Sequence, residues 1–316
     1  NDKGQREITV VNIQKFKDET NVSKATDYNI NIQRVYFLDE VHRSYNPEGS
    51  FLANLEQSDK SAIKIGLTGT PLIGASLKSK FLFGDYIHKY YYNKSIADGY
   101  TLKLIREEIE TQYKVLLQKA LDSIDIVKGD ADKKTVYAHH RFVEPMLDYI
   151  VNDFEKFRLT NNDASVGGMV ICDSSEQARE MYAIFQRKYQ TAQILEEENI
   201  TNLAAEEPAT YGEQLKEEYR VKTAALILYD SGSKQELEEY RDAFKAGKID
   251  FLFVYNMLLT GFDAKRLKKL YLGRVIRSHN LLQALTRVNR TYKDYRYGFV
   301  VDFADISKEF DKTNRA

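Results

Sequence analysis

Residues 36–43 read YFLDEVHR, and residues 65–71 read IGLTGTP. The first is an apolar run that ends in two adjacent carboxylates, Asp39 and Glu40, followed by His42 and Arg43. The second is an apolar run that ends in a Thr-Gly-Thr-Pro turn. Short runs of this kind, rich in β-branched and aromatic residues, suit strands buried on both faces of a parallel sheet. Two neighbouring acids repel each other and stabilise no strand end. In an open parallel sheet, ligands bind outside the carboxyl ends of the strands. An acidic pair there suits cation binding or proton transfer. Taken alone, the pair also reads as an ordinary surface pair at the start of a helix.

Outward from this stretch, strands and helices alternate. Runs 8–16 (ITVVNIQKF), 34–39 and 63–69 read as strands. Segments 104–124 and 139–157 carry apolar residues at helical spacing, and Pro145 marks a kink or an N-terminal turn in the second. A second alternating set follows. Its expected strands are 167–172, 223–229, 249–256, 267–273 and 297–303. Its expected helices are 174–189, with Ser174 or Ser175 as N-cap, 233–247, and 279–290 (HNLLQALTRVNR). The acidic stretch 195–219 reads as an insertion. The expected fold class is α/β with two RecA-like parallel-sheet motor domains. Residues 1–105 form the first, truncated at its N-terminus, 106–160 a helical connector, and 161–316 the second.

Composition sets the bounds. A chain of 316 residues can bury two cores. Hydrophobic content of 43% and charged content of 29% are globular values. The net charge of −1 gives no global footprint for nucleic acid, although 46 Lys and Arg can still form a local basic groove. The single cysteine, Cys172, excludes a disulfide framework within the chain and suits core packing and a reducing cytoplasm. No apolar run is long enough to span a bilayer, and the first ten residues show no signal-peptide pattern. The chain does not begin with Met, which points to a piece of something longer. His139 and His140 are adjacent, so they point different ways on a helix and make a poor metal pair. Lys15 and Arg43 are readable as contacts to DNA backbone or to a neighbouring motif, or as surface salt-bridge residues, and the tyrosines 90–92 read as strand or partner-surface aromatics, since the bases of duplex DNA are not open to stacking.

Asp-Glu-X-His after an apolar strand, with Thr-Gly-Thr-Pro after the next, resembles the helicase-type motor ATPases of superfamily two. The segment LLTGFDA (258–264) resembles the family's fifth motif, and QALTRVNR (283–290) its sixth. The resemblance implies that Asp39 holds Mg²⁺, through water, beside the phosphates of ATP. It implies Glu40 as the base that activates the attacking water, with His42 at the nucleotide. Thr68 and Thr70 would couple the nucleotide site to the DNA path. Gly261 would allow close backbone approach, and Asp263 would be a polar contact. Gln283, Arg287 and Arg290 fall at i, i+4 and i+7, which places them on one face of a helix. There the arginines would stabilise the transferring phosphate.

Finer features narrow the resemblance. VVNIQKF (10–16), DEVHRSY (39–45), GLTGTPL (66–72), FGDYIHKYYYNKSIADGYTLKL (83–104) and QALTRVNRTY (283–292) are similar to the restriction (R) subunit of type I restriction enzymes. That likeness covers roughly 8–105 and 165–305. It implies an ATP-driven translocase of double-stranded DNA that works with modification and specificity subunits and cuts through an attached nuclease. It implies no membrane partner. Two family features are missing. Gly-x-x-x-x-Gly-Lys-(Ser/Thr) does not occur; the nearest string, AGKI (246–249), has Asp242 at the first glycine position. Glu-x-Lys, needed by one nuclease type, does not occur either. The expectation is a motor-region fragment without ATPase activity of its own. Two other readings stay open: another superfamily-two motor of the type III restriction or repair kind, and a DNA-binding or assembly module that does not hydrolyse nucleotide.

Overall fold

The computed structural model describes residues 8, 10, 33–41, 61–69, 83–128, 133–190, 217–258, 262–276 and 278–304. The chain divides into two compact units, residues 1–90 and 91–316. The boundary therefore falls before 105. The expected strand over 8–16 and the insertion at 195–219 lie wholly or mostly outside the described residues, as do Lys15 and Arg43.

In the first unit, β1 (Val35–Leu38) and β2 (Ile63–Gly66) pair in parallel, from Val35 opposite Ile63 to Leu38 opposite Gly66. The ladder extends by one bond from the Leu67 N–H to the Leu38 carbonyl (2.8 Å). Leu38 and Val41 are buried, with Tyr36 and Phe83 packed on them. Burial on both faces was expected, and here the structure differs. Side chains alternate between faces along a strand. The face bearing Val35 and Phe37 is open, with Phe37 68% exposed.

The second unit holds a six-stranded, wholly parallel sheet. Its strands are β3 (Lys103–Glu108), β4 (Gly167–Ile171), β5 (Ala224–Ile227), β6 (Phe251–Val254), β7 (Leu267–Leu272) and β8 (Tyr297–Asp302), in spatial order β3-β8-β7-β4-β6-β5. Helices α1 (Tyr92–Ala97), α2 (Thr111–Lys128), α3 (Lys133–Tyr137), α4 (His140–Asn161), α5 (Ser175–Phe185), α6 (Lys234–Lys245) and α7 (Ser278–Leu285), with a π-helical turn Gln186–Gln190 after α5, complete the unit among the described residues. Every residue of β4, β6 and β7 is buried. Alternate residues feed two cores. Val170, Cys172, Phe251 and Phe253 pack with Phe154 and Ile150 of α4 and Phe185 of α5. Met169, Ile171, Leu252 and Val254 pack with Phe244 of α6 and Leu281 and Leu285 of α7. A sheet covered on both faces explains why these strands read as unbroken apolar runs.

Helix starts follow their capping residues. The Ser174 hydroxyl accepts from the Gln177 N–H (3.0 Å) and caps α5. Ser233 and Glu236 form a reciprocal capping box on α6. His139 caps α4 through its ring, accepting from the Arg141 N–H (3.2 Å), and α4 runs on through Pro145.

Two expectations are corrected. Segment 104–124 is not one helix, because Lys103–Glu108 forms the edge strand β3 beside β8, and α2 begins only at Thr111. Charged residues (Arg106, Glu107, Glu108) on an edge strand are ordinary, and they blur the periodicity. Arg106 pairs with Asp302 of β8 (3.0 Å), and Glu107 reaches Lys269 of β7 (2.9 Å). The helix expected to Arg290 ends at Leu285. Its last bonds tighten to three-residue spacing, from the Arg287 N–H to the Ala284 carbonyl (3.1 Å) and from the Val288 N–H to the Leu285 carbonyl (3.2 Å). Beyond them the chain is held by its neighbours.

The amino end of the large sheet carries a buried ionic network. Arg158 of α4 donates to Asp250 (2.5 Å) and to the Val166 carbonyl (2.7 Å). Asp250 also accepts from the N–H groups of Lys222 (2.8 Å) and Thr223 (3.0 Å). Buried Arg266 spends its donors on the carbonyls of Ser165, Phe244, Ile249 and Val166.

Candidate functional site

In the first unit the candidate residues stand beyond the carboxyl end of β1, where an open parallel sheet presents ligands, whereas in the second they gather by the amino ends of β3, β7 and β8. In the first unit, Asp39 and Glu40 form the turn after β1, and both are exposed. The Glu40 N–H donates to the Asp39 carboxylate (2.9 Å). Glu40 has φ +51, a left-handed conformation that a residue with a side chain adopts uncommonly. The turn is pinned by the Val41 N–H, which donates to the Leu67 carbonyl (3.2 Å). The acidic pair is thereby tied to the chain just before half-buried Thr68. His42 and Thr70 lie outside the described residues.

One exposed carboxylate at a strand end fits Mg²⁺, which is usually held by one or two carboxylates together with waters and substrate phosphates. Among the described residues no group of three or more His, Cys, Asp or Glu could hold a metal by itself.

In the second unit, the loop after β6 and the segment after α7 come together. Arg290 Nη1 lies 3.2 Å from Asp263 Oδ2. Arg287 donates through Nη1 to the main-chain carbonyl of Phe262 and through Nε to that of Gln283 (3.0 Å). Gln283 is buried. Gly261 lies outside the described residues. The structure thus brings Asp263, Gln283, Arg287 and Arg290 into one cluster. It does so without the single helical face expected for the last three, since α7 ends before Arg287. Arg287 is turned inward onto two carbonyls, whereas Arg290 is 41% exposed at its side chain.

Lys268, Asn289, Leu102 and Thr101 around Arg290 escaped the sequence reading, and Tyr92 was read there only among the tyrosines 90–92. Lys268 of β7 is fully buried, and its ammonium donates to the Arg290 carbonyl. The Asn289 carbonyl accepts from the Leu102 N–H (2.6 Å), and Thr101 forms an antiparallel bridge with Arg290. The Tyr92 hydroxyl donates to the Leu102 carbonyl (2.6 Å). The available signal was the lysine pair inside the apolar run LKKLYL, since buried ammonium groups demand partners. Lys268 and Lys269 face opposite sides of the sheet. Lys269 meets Glu107 and Asp153 (2.8 Å).

Cys172 is buried, and burial pushes its thiol pKa up, which suits an inert core cysteine. No helix among the described residues is long and apolar enough to cross a membrane.

Residues 164–305 match the family model described as type I restriction enzyme subunit R domain 3. Residues 2–135 match that of the SWI2/SNF2 ATPase. The chain is similar in sequence to the R subunits of type I restriction enzymes. It is 28% identical over 302 residues to the type I restriction enzyme SauMRSORF196P endonuclease subunit of Staphylococcus aureus. That alignment covers 89% of this chain and 32% of the relative. It is 25% identical over 325 residues to the SsaAORF53P endonuclease subunit of Staphylococcus saprophyticus, covering 96% of this chain and 34% of that protein. The chain thus spans about a third of the length of these R-subunit relatives. Its fold is similar to that of a fragment assigned as an HsdR subunit from Vibrio vulnificus YJ016. The TM-score is 0.54 at 18% identity, with 88% of this chain and 44% of the other covered. Parallel-sheet α/β architecture of the RecA-like helicase kind is common to the two.

Proposed function

We propose that this chain is the motor region of a type I restriction R subunit, and that the whole subunit couples ATP hydrolysis to translocation and cleavage of double-stranded DNA. In this reading the partners are double-stranded DNA and the modification and specificity subunits, and the setting is the cytoplasm. What supports it most is the cluster that joins Asp263 and Arg290, together with the match of the surrounding segment to an R-subunit domain. A guanidinium held by the main chain at one end of a parallel sheet, here beside the starts of β3, β7 and β8, suits the spread negative charge of a transferring phosphoryl group.

The chemistry divides among the chain's own residues. Asp39 would hold Mg²⁺, which neutralises developing phosphate charge when bound. Glu40 accepts the proton of the attacking water, from a left-handed turn at the end of β1. Arg290 meets the phosphate. Arg287 keeps the loop after β6 in register with the segment after α7 and adds positive charge nearby. Gln283 and Gly261 line the nucleotide, and Thr68 and Thr70 carry coupling. No phosphate-binding Gly-x-x-x-x-Gly-Lys loop occurs in these 316 residues, so the chain alone is expected to show no clear affinity for Mg-ATP by calorimetric titration.

The deciding experiment is Glu40→Gln in an R subunit of full length that carries this chain. The change keeps the shape and removes the base. ATP binding should stay within about threefold while turnover falls by about 10²–10⁴-fold. Hydrolysis at the unsubstituted rate would sink the assignment of Glu40.

A further inference from the structure

The main chain at Asn289–Arg290 is gripped from two sides by residues outside the motifs. On one side stands Lys268. Its ammonium is buried, no carboxylate among the described residues forms an ion pair with it, and its acceptor is the Arg290 carbonyl. Burial, and secondarily the charge of Arg290, lowers its pKa to about 8. Burying an ammonium without an ion partner opposes folding, and a methionine of similar volume would pack there at less cost. What the lysine supplies is a donor at a fixed point under one carbonyl.

On the other side lies the segment from α1 to β3. The Tyr92 hydroxyl donates to the Leu102 carbonyl (2.6 Å) and is also bonded to the Asn289 side chain. Leu102 returns its N–H to the Asn289 carbonyl (2.6 Å), and Thr101 bridges Arg290. The turn Asp98–Gly99, with Gly99 at φ +77, folds this segment back so that the Tyr100 N–H reaches the Ser95 carbonyl (2.9 Å). Two consecutive carbonyls, those of Asn289 and Arg290, are therefore held by donors from opposite directions. Side-chain freedom at Arg290 is left intact while its backbone is fixed.

We propose that Lys268 and Tyr92 are positioning residues for Arg290, fixing its backbone so that the guanidinium meets the phosphate in one place. The proposal rests on the reading of Arg290 as the phosphate-binding arginine. It gives residues 92–102 a task that the nucleotide motifs leave unassigned. Misplacement of a catalytic group by about 1 Å costs roughly 10²-fold in rate.

The test compares Lys268→Met, Tyr92→Phe and Arg290→Ala, alone and combined, in the full-length R subunit, with hydrogen exchange on this chain as a second readout. Lys268→Met and Tyr92→Phe should each lower kcat by about 10–100-fold with KM for ATP within about threefold. Amides 286–291 should exchange faster while those of β4 and β6 keep their protection. Added to Arg290→Ala, neither change should slow hydrolysis further, because both act through Arg290. If Lys268→Met fails to fold, Tyr92→Phe, which loses one hydroxyl, carries the test. The proposal is overturned if both singles keep kcat within twofold while Arg290→Ala loses about 10³-fold, or if the losses multiply in the double variants. Unimpaired turnover in Arg290→Ala is a separate result: it removes the reading of Arg290, and this proposal with it.

Discussion

Arg290 Nη1 and Asp263 Oδ2 stand 3.2 Å apart and join the loop after β6 to the segment after α7. Their side chains are 41% and 55% exposed, so the pair is a weak one. Exposed ion pairs contribute about 0.2–1 kcal/mol, whereas an arginine at a transferring phosphate contributes about 10³–10⁵ in turnover. Under the proposed reading of Arg290, the phosphate wins the competition and Asp263 parks the guanidinium until the nucleotide arrives.

Arg290→Ala in a full-length subunit should lower DNA-stimulated ATP hydrolysis by about 10³-fold or more and leave DNA binding within about threefold. Steady-state hydrolysis and a DNA-binding titration check this together. A parallel collapse of DNA binding would place Arg290 on the DNA path instead.

Asp250→Ala should destabilise the second unit by about 3–5 kcal/mol. The carboxylate is the ion partner of buried Arg158 and accepts from two main-chain N–H groups. Its removal leaves a buried guanidinium uncompensated beside Arg266, whose hydrogen bonds among the described residues go to carbonyls. For a unit of this size thermal unfolding should shift by about 10 °C. A shift under about 2 °C would show that Arg158 finds another partner.

Gly298→Ala should cost about 1–3 kcal/mol, read by denaturant unfolding. An added Cβ would lie 2.2 Å from the Val288 carbonyl oxygen and 2.7 Å from its carbon. Both are backbone atoms, so the chain leading to Arg290 must move, and hydrolysis should fall with stability. Stability within 0.5 kcal/mol of the parent would mean that β8 slides without strain.

The stability difference between the parent and Lys268→Met should change with pH above 8. The lysine has a folded pKa of about 8 and an ordinary value of 10.5. Below 8 it is charged in both states, and the full desolvation penalty opposes folding. Between 8 and 10.5 the folded state sheds the proton while the unfolded state keeps it, so the parent gains stability as pH rises. The gain relative to Lys268→Met should be about 1–2 kcal/mol between pH 8 and 9.5. A pH-independent difference would mean that Lys268 is solvated.

Strand identity in the second unit was legible because a parallel sheet covered on both faces demands continuous apolar runs, as in GGMVI and FLFV. The caps at Ser174 and Ser233 were legible because a helix start needs a short-range acceptor for its free N–H groups. Asp39 and Glu40 were legible as strand-end acids for the same local reason. Three features were decided only by tertiary structure. Lys103–Glu108 becomes a strand because β8 offers it an edge, although its sequence continues into helical periodicity. Helix α7 stops at Leu285 because Lys268, Leu102 and the close approach of Gly298 claim the chain beyond it, although TRVNR can extend a helix. Arg290 faces Asp263 because that chain leaves the helix axis. Caps and buried runs depend on residues a few positions apart, which a sequence displays. The path of residues 286–290 depends on donors from positions 92–102 and 268, and only the fold sets them side by side.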